Sequence, residues 1–205
     1  MSNPPSPVDM WDERYGSPDY AFGTEPNTFL RDNIDALPLG EVLCVADGEG
    51  RNSVFLAESG RAVSSVDLSR AGVEKARRLA AQRDVTIDAM VGDLVDVDLG
   101  DARWDAIISI FAHMPSALRS DLHQRVVRAL RPGGIFLLEA YTPDQIPRGT
   151  GGPAVPDRTM TLNGLRKELA PLEFIHGAEL EREVVEGAYH TGLASVVQVI
   201  ARKAP

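Results

Sequence analysis

A four-residue apolar run, Val42-Leu43-Cys44-Val45, breaks into Ala46-Asp47-Gly48-Glu49-Gly50 and leads at once into a helix-forming stretch over residues 51–59. A strand that ends in glycines and feeds a helix is the opening unit of an α/β fold. Glycine allows the sharp turn, and the helix start leaves backbone N–H groups free. The unit then recurs. Residues 62–66 make a second strand-like run ending at Asp67, and Ser69 is placed to cap a helix reaching about Gln82. Residues 86–91 end at Gly92-Asp93, and the β-branched run 104–110 forms a fourth strand. Pro115-Ser116 opens a helix with Leu118, Leu122, Val126 and Leu130 at helical spacing, which Arg131-Pro132-Gly133-Gly134 must stop before a fifth strand at 135–141. Five short apolar strands alternating with amphipathic helices predict an α/β, Rossmann-like, mostly parallel sheet with helices on both faces.

The flanks are less regular. Residues 1–9 are proline-rich and read as a disordered tip, leaving one domain over 10–205. Trp11, Tyr15, Tyr20, Phe22 and Phe29 concentrate near the N-terminus, although aromatics are only 6% of the chain, with short helices expected near 10–15 and 27–34. Residues 143–157 carry many Pro and Gly and predict a loop, with a helix following near 162–169. Two last strands, near 173–185 and 195–203, can pair as a hairpin through a turn at 187–192. A seven-stranded sheet results.

Composition excludes several roles. A formal net charge of −9 repels phosphate backbones, so no nucleic-acid partner is expected. No apolar run approaches the roughly 20 residues of a membrane span, and no basic-then-apolar leader is present; a cytoplasmic monomer or homodimer without membrane partners is expected. The one cysteine, Cys44, sits in an apolar run and reads as a small buried hydrophobe, and no metal site is expected.

Ligands of open α/β sheets bind beyond the carboxyl ends of the strands, near the point where strand order reverses. Five features fall at such ends: Asp47-Gly48-Glu49-Gly50, Asp67, Asp93-Leu94, Ile110-Phe111-Ala112-His113, and Glu139-Ala140-Tyr141. Gly48 and Gly50 permit close backbone approach, Asp67 can accept from ribose hydroxyls, and Asp93 can accept from an adenine amino group while Leu94 packs on the ring. Each feature alone is common; together, in order, they indicate an adenosine-containing ligand. Ser53 stands where a dinucleotide fingerprint needs its third glycine, and no phosphate-binding Gly-x-x-x-x-Gly-Lys motif occurs.

At these residues the chain resembles the class I S-adenosylmethionine-dependent methyltransferases, and more narrowly the tellurite-resistance and thiopurine methyltransferase-like group. The similar motifs are Val42–Asn52 with its Gly-Glu-Gly-Arg-Asn stretch, Val66-Asp67-Leu68-Ser69, Gly92-Asp93-Leu94, Leu130-Arg131-Pro132-Gly133-Gly134, and Glu186-Gly187-x-x-His190-x-Gly192. Trp11-Asp12-Glu13-Arg14-Tyr15 and Tyr20-x-Phe22-Gly23-x-x-Pro26-Asn27-x-Phe29-Leu30 look like that group's N-terminal cofactor cover, here residues 10–35. The resemblance implies S-adenosyl-L-methionine as cofactor and a small-molecule methyl acceptor, such as a thiol or a chalcogen oxyanion like tellurite or selenite. It places Gly48 and Gly50 near the methionine part, Asp67 near the ribose, Asp93 and Leu94 near the adenine, and Leu68 among the cofactor-binding residues. Cys44 and Ala46 depart from the group's acidic residue and glycine, so Asp47 or an ordered water would meet the cofactor's amino group.

Candidates for the acceptor side are His113, Glu139, Tyr141 and His190, with Phe111 beside the cofactor. A soft anionic acceptor requires no general base, whereas a protonated oxygen or nitrogen makes one useful. Each candidate also has a structural alternative: His113 as a cap, Glu139 as partner of a cation, His190 as an exposed turn residue. Arg14 and Arg51 could each clamp the cofactor's carboxylate. Trp11, Tyr15 and Phe22 could close over it or simply pack the N-terminal helix, and the 149–152 loop is either a lid or a plain connection. Two other functions compete with methyl transfer: a nicotinamide-dependent oxidoreductase and a non-catalytic cofactor-binding regulatory module.

Overall fold

The computed structural model describes residues 6–205. Seven strands, β1 (Glu41–Val45), β2 (Ala62–Asp67), β3 (Asp88–Val91), β4 (Trp104–Ile110), β5 (Leu130–Tyr141), β6 (Glu173–Glu186) and β7 (His190–Arg202), form one sheet. Their order is β3-β2-β1-β4-β5-β7-β6. The first five are parallel, and β7 pairs antiparallel with both β5 and β6. Strand order therefore reverses between β1 and β4, whose carboxyl ends carry Ala46-Asp47 and Phe111.

The helices are α1 (Pro7–Tyr15), α2 (Thr28–Asp32), α3 (Arg51–Glu58), α4 (Arg70–Gln82), α5 (Ser116–Ala129) and α6 (Leu162–Glu168). Alternate β1 residues feed opposite cores, because successive side chains of a strand face opposite ways. Leu43 and Val45 join Ile107, Phe136, Leu122 and Leu165 on one face. Val42 and Cys44 join Ile108, Leu137, Leu30 and Leu56 on the other. Cys44 is a buried core residue whose thiol burial pushes well above its ordinary pKa.

Several boundaries differ from the sequence reading. Residues 1–5 of the expected tip lie outside the described residues, but 7–9 are helical: Ser6 caps α1 through Asp9 N–H, and Pro7 occupies the first turn, where a missing N–H costs nothing. β5 begins at Leu130, which pairs with Trp104. Residues 131–134 then loop out before Ile135 pairs with Ala106. On α5 the buried face runs through Leu122, Val126 and Ala129, whereas Leu118 is exposed. The hairpin is longer than expected, so its turn shrinks to Gly187-Ala188-Tyr189 and His190 becomes the first residue of β7. The 143–157 loop contains short 3-10 turns at Pro143–Arg148 and Pro156–Arg158. Among the described residues, no helix is long and apolar enough to cross a membrane.

The N-terminal segment is tied across the carboxyl ends of the sheet. Asp12 accepts from Ser69 Oγ (2.5 Å) and Ala71 N–H (3.2 Å) at the start of α4. The buried Glu49 carboxylate accepts from Ala21 N–H (2.8 Å) and from Lys75 Nζ (2.6 Å), and Lys75 also donates to Asp19 O (2.6 Å). Sequence reading passed over this pair, which converts the motif's glutamate into an anchor for residues 19–22.

Candidate cofactor and acceptor site

The loop after β1 is built for close approach. Gly48 and Gly50 have φ of +61° and +88°, and a Cβ on Gly48 would lie 2.7 Å from the Tyr15 hydroxyl oxygen. Ala46 also adopts a left-handed φ of 51°, without the glycine that usually relieves it. Asp67 organises this loop: Oδ2 accepts from Gly48 N–H and Oδ1 from Ser69 N–H, both at 2.8 Å. Each oxygen keeps a second lone pair for a ligand. Burial pushes the Asp67 carboxyl above its ordinary pKa.

Asp47 Oδ2 accepts from Ser53 Oγ at 2.5 Å, while Oδ1 is buried and has no hydrogen-bond partner among the described residues. Burial pushes this carboxyl up to about 6. A buried oxygen of this kind is satisfied by a proton or by a cationic donor. Asp47 thus offers what Cys44 and Ala46 lack, an acceptor for an ammonium group beside the glycine turn. At the next strand end Asp93 is exposed and uses Oδ1 to cap its own turn at Val95 N–H (2.9 Å), leaving Oδ2 open. Leu94 packs partly buried against the core, and Leu68 is half-buried. β2 and β3 pair side by side with Asp67 opposite Val91, and Gly92 N–H bonds to Asp67 O, so these residues share one edge.

The two arginines separate. Arg51 is buried and committed, with Nη2 2.5 Å from Glu186 and Nη1 on Glu25 O. Arg14 lies between the rings of Trp11 (4.9 Å) and Tyr189 (4.7 Å) and, among the described residues, has no carboxylate partner. Trp11, Tyr15 and Phe22 form one cluster with ring centroids 5.4–6.4 Å apart, and Tyr15 lies against Gly48 of the glycine turn.

Beyond β4 and β5 the site is aromatic. Phe111 turns with φ 52° and stacks on Tyr141 at 4.5 Å. His190 stands edge-on to both rings and 4.5 Å from Phe22. Among the described residues, the Tyr141 hydroxyl and His190 Nδ1 are buried without partners. Burial, then the nearby Glu186 and Glu139, raise the tyrosine pKa, while burial and then Arg51 bring His190 down to about 3. His190 is therefore a half-buried neutral wall residue, not an exposed turn residue. His113 has both nitrogens engaged: Nδ1 bonds to Arg158 O (2.9 Å), and Nε2 accepts from Tyr141 N–H (3.3 Å). With burial pushing it to about 4, it holds the loop and keeps no free nitrogen for a proton.

Glu139 is fully buried and fully occupied. Its oxygens accept from Asn27 Nδ2 (2.5 Å), Arg182 Nε (2.7 Å) and Nη2 (2.6 Å), and Gln198 Nε2 (2.7 Å). Asn27 and Arg182 also reach Glu186, which holds Arg51. Two carboxylates and two guanidiniums thus lock the cover, the sheet and the hairpin together. A glutamate inside an apolar strand signalled that some partner was needed, but not which one.

An acid at the end of β2, a glycine turn after β1 and an antiparallel strand between β5 and β6 mark a Rossmann-like α/β sheet. Residues 42–134 match the family model described as a methyltransferase domain. Among curated relatives, the 2-heptyl-1-hydroxyquinolin-4(1H)-one methyltransferase of Mycobacteroides abscessus is 30% identical over 117 residues, 56% of this chain and 52% of that protein. A probable S-adenosylmethionine-dependent methyltransferase of Mycolicibacterium smegmatis is 30% identical over 161 residues, 76% of this chain and 58% of that protein. The chain thus spans little more than half the length of these relatives. In fold it is similar to the structure reported for conversion of a disulfide bond into a thioacetal group during echinomycin biosynthesis, with TM-score 0.78, 18% identity, and 96% and 91% of the two chains covered. TehB from Haemophilus influenzae gives TM-score 0.71 at 19% identity, covering 96% and 66%. The N-methyltransferase NodS from Bradyrhizobium japonicum, in complex with S-adenosyl-L-homocysteine, gives 0.71 at 11%, covering 97% and 98%.

Proposed function

We propose that the chain is an S-adenosylmethionine-dependent methyltransferase acting on a small molecule. The observation that carries this reading is the buried, partnerless Asp47 Oδ1 beside the Gly48–Gly50 turn, with Asp67 at the neighbouring strand end. Asp47 would hold the cofactor's ammonium group, Arg14 its carboxylate, Asp67 its ribose hydroxyls, and Asp93 with Leu68 and Leu94 its adenine. Bound there, S-adenosylmethionine supplies a sulfonium-activated methyl carbon, which an in-line displacement by an acceptor lone pair takes while the carbon–sulfur electron pair stays on sulfur. The residues of this chain position and desolvate. Trp11, Tyr15 and Phe22 exclude water, and Glu49–Lys75 and Glu139–Arg182 fix the cover and the hairpin between which both ligands lie. A buried aromatic cluster at the strand ends and a net charge of −9 fit a small acceptor better than a polymer, in keeping with the hydroxyquinolone acceptor in the name of one relative.

Calorimetric titration with S-adenosylhomocysteine, with NAD and NADP as controls, tests the reading. Micromolar binding to the first alone, lost in Asp67→Ala, supports it; preference for a nicotinamide nucleotide sinks it. Binding without methyl transfer to any acceptor class would indicate a regulatory module.

A further inference from the structure

Among the described residues, the methyl-transfer reading uses Asp47 but leaves three other buried, partnerless polar side-chain atoms unexplained: His176 Nε2, which stands apart on β6 beside Phe29, and two that lie together, the Tyr141 hydroxyl and His190 Nδ1. Desolvating a polar group without a hydrogen bond is costly, so such atoms mark a place where a ligand completes the structure. Both belong to one aromatic cluster with Phe111 and Phe22, on the opposite side of the switch point from Asp67 and Asp93. The cluster is capped by glycine backbone: a Cβ on Gly152 would lie 2.5 Å from Tyr141 Cδ2, and one on Gly151 3.4 Å from the Tyr141 hydroxyl oxygen and 3.1 Å from His190 Cδ2. Gln145, fully buried, holds this loop by donating to Thr150 Oγ1 and Gly151 O while accepting from Ser195 N–H.

Of the nearby guanidiniums, Arg51 is committed to Glu186 and Arg182 to Glu139 and Glu186, while Arg14, between the Trp11 and Tyr189 rings, would hold the cofactor's carboxylate. That leaves rings and two polar atoms, a lining suited to a flat apolar body with one polar edge. A small oxyanion would require uncommitted positive charge.

We propose that the Tyr141 hydroxyl and the His190 ring bind the methyl acceptor, that the 149–152 loop is the flap closing over it, and that the acceptor is a flat ring bearing a hydroxyl or thiol rather than a small oxyanion. This inference rests on the methyl-transfer reading. The nucleophile's proton passes to water as the hydroxyl or thiol ionises, since His113 is bonded at both nitrogens. Tyr141 remains an O–H donor towards the resulting anion.

Initial rates are measured with 4-nitrophenol, thiophenol, selenite and tellurite as acceptors, alongside S-adenosylhomocysteine affinity and Tm. In Tyr141→Phe the ring acceptors' KM rises ~10-fold, the effect of one lost hydrogen bond. Kd for S-adenosylhomocysteine is unchanged, and Tm is equal or higher because a partnerless hydroxyl is gone. Gly152→Ala, which props the flap off the ring, raises the same KM with the same Kd. An unchanged KM in Tyr141→Phe, or turnover of selenite or tellurite but of neither ring, overturns the assignment. Failure of the unaltered protein to bind S-adenosylhomocysteine overturns the methyl-transfer reading itself, and the acceptor assignment with it.

Discussion

Glu139 separates a structural carboxylate from a catalytic one, and Glu139→Gln tests the distinction. The side chain is fully buried and accepts four hydrogen bonds, from Asn27, twice from Arg182 and from Gln198. Glutamine keeps the shape but offers one acceptor oxygen and turns the other position into a donor. A donor facing Asn27 and Arg182 Nη2 loses two of the four bonds, whereas one facing Arg182 Nε and Gln198 loses only the arginine's, because the Gln198 amide can rotate to accept. Arg182 retains Glu186 at 2.9 Å, which moderates the damage. Removing one partner of a buried ion pair typically costs 3–5 kcal/mol, and the remaining carboxylate places this case near the lower end, ~3 kcal/mol. For a domain of this size each kcal/mol lowers Tm by roughly 2–4 °C, so a fall of about 6–12 °C is expected in a thermal melt. Whatever methyl transfer survives below the new Tm keeps a kcat close to that of the parent. A Tm within about 2 °C of the parent, with kcat reduced ~100-fold or more as for a lost general base, would refute the reasoning.

Three further outcomes follow from the strand ends. The Asp47 carboxyl goes from 3.8 to about 6 on burial, so the folded state binds the extra proton and stability falls as pH rises through that window, by ~3 kcal/mol in all. Asp47→Asn is therefore more stable than the parent in urea at about pH 7.5, with the gain vanishing towards about pH 4; a gain independent of pH would contradict burial of the charge. His113 and His190 run the other way. Held at about 4 and about 3 against 6.5, they bind protons only in the unfolded chain, so stability is lost as pH falls below about 6.5, partly offset by Asp47. His190→Phe flattens that acid limb, and an unaltered limb would show that the ring is solvated. Ala46→Gly relieves a left-handed alanine and stabilises by up to ~1 kcal/mol; a loss of stability on denaturation would mean that the methyl group packs more than the φ strains.

Much of this molecule is legible locally. The five parallel strands, the cap at Ser69 and the helix stop before Pro132 each depend on residues a few positions apart, and they lie close to where the pattern puts them. The errors are also local in cause. A proline-rich tip hid a helix start because Pro is tolerated in the first turn, and the hairpin's charged outer residues hid its length. Strand alternation there is between a sheet face and a solvated face, so the apolar signal halves.

Chemical role is where the chain alone falls short. The positions of Asp47, Gly48 and Gly50 after β1, at the switch point, and of Asp67 at the end of the neighbouring β2 follow from the sequence because short apolar runs fix where each strand ends. The roles of Arg14, Arg51, Glu139, His113 and His190 do not, because each depends on which distant group arrives beside it. Arg51 meets Glu186 across 135 positions and Glu139 meets Asn27 across 112, and that pairing decides which charges are spent on structure and which remain for a ligand. Local sequence sets where a backbone turns and which face is apolar, since these are short-range steric and hydrophobic preferences. Commitment or availability of a buried charge is a long-range desolvation balance, and only the assembled sheet, cover and hairpin settle it.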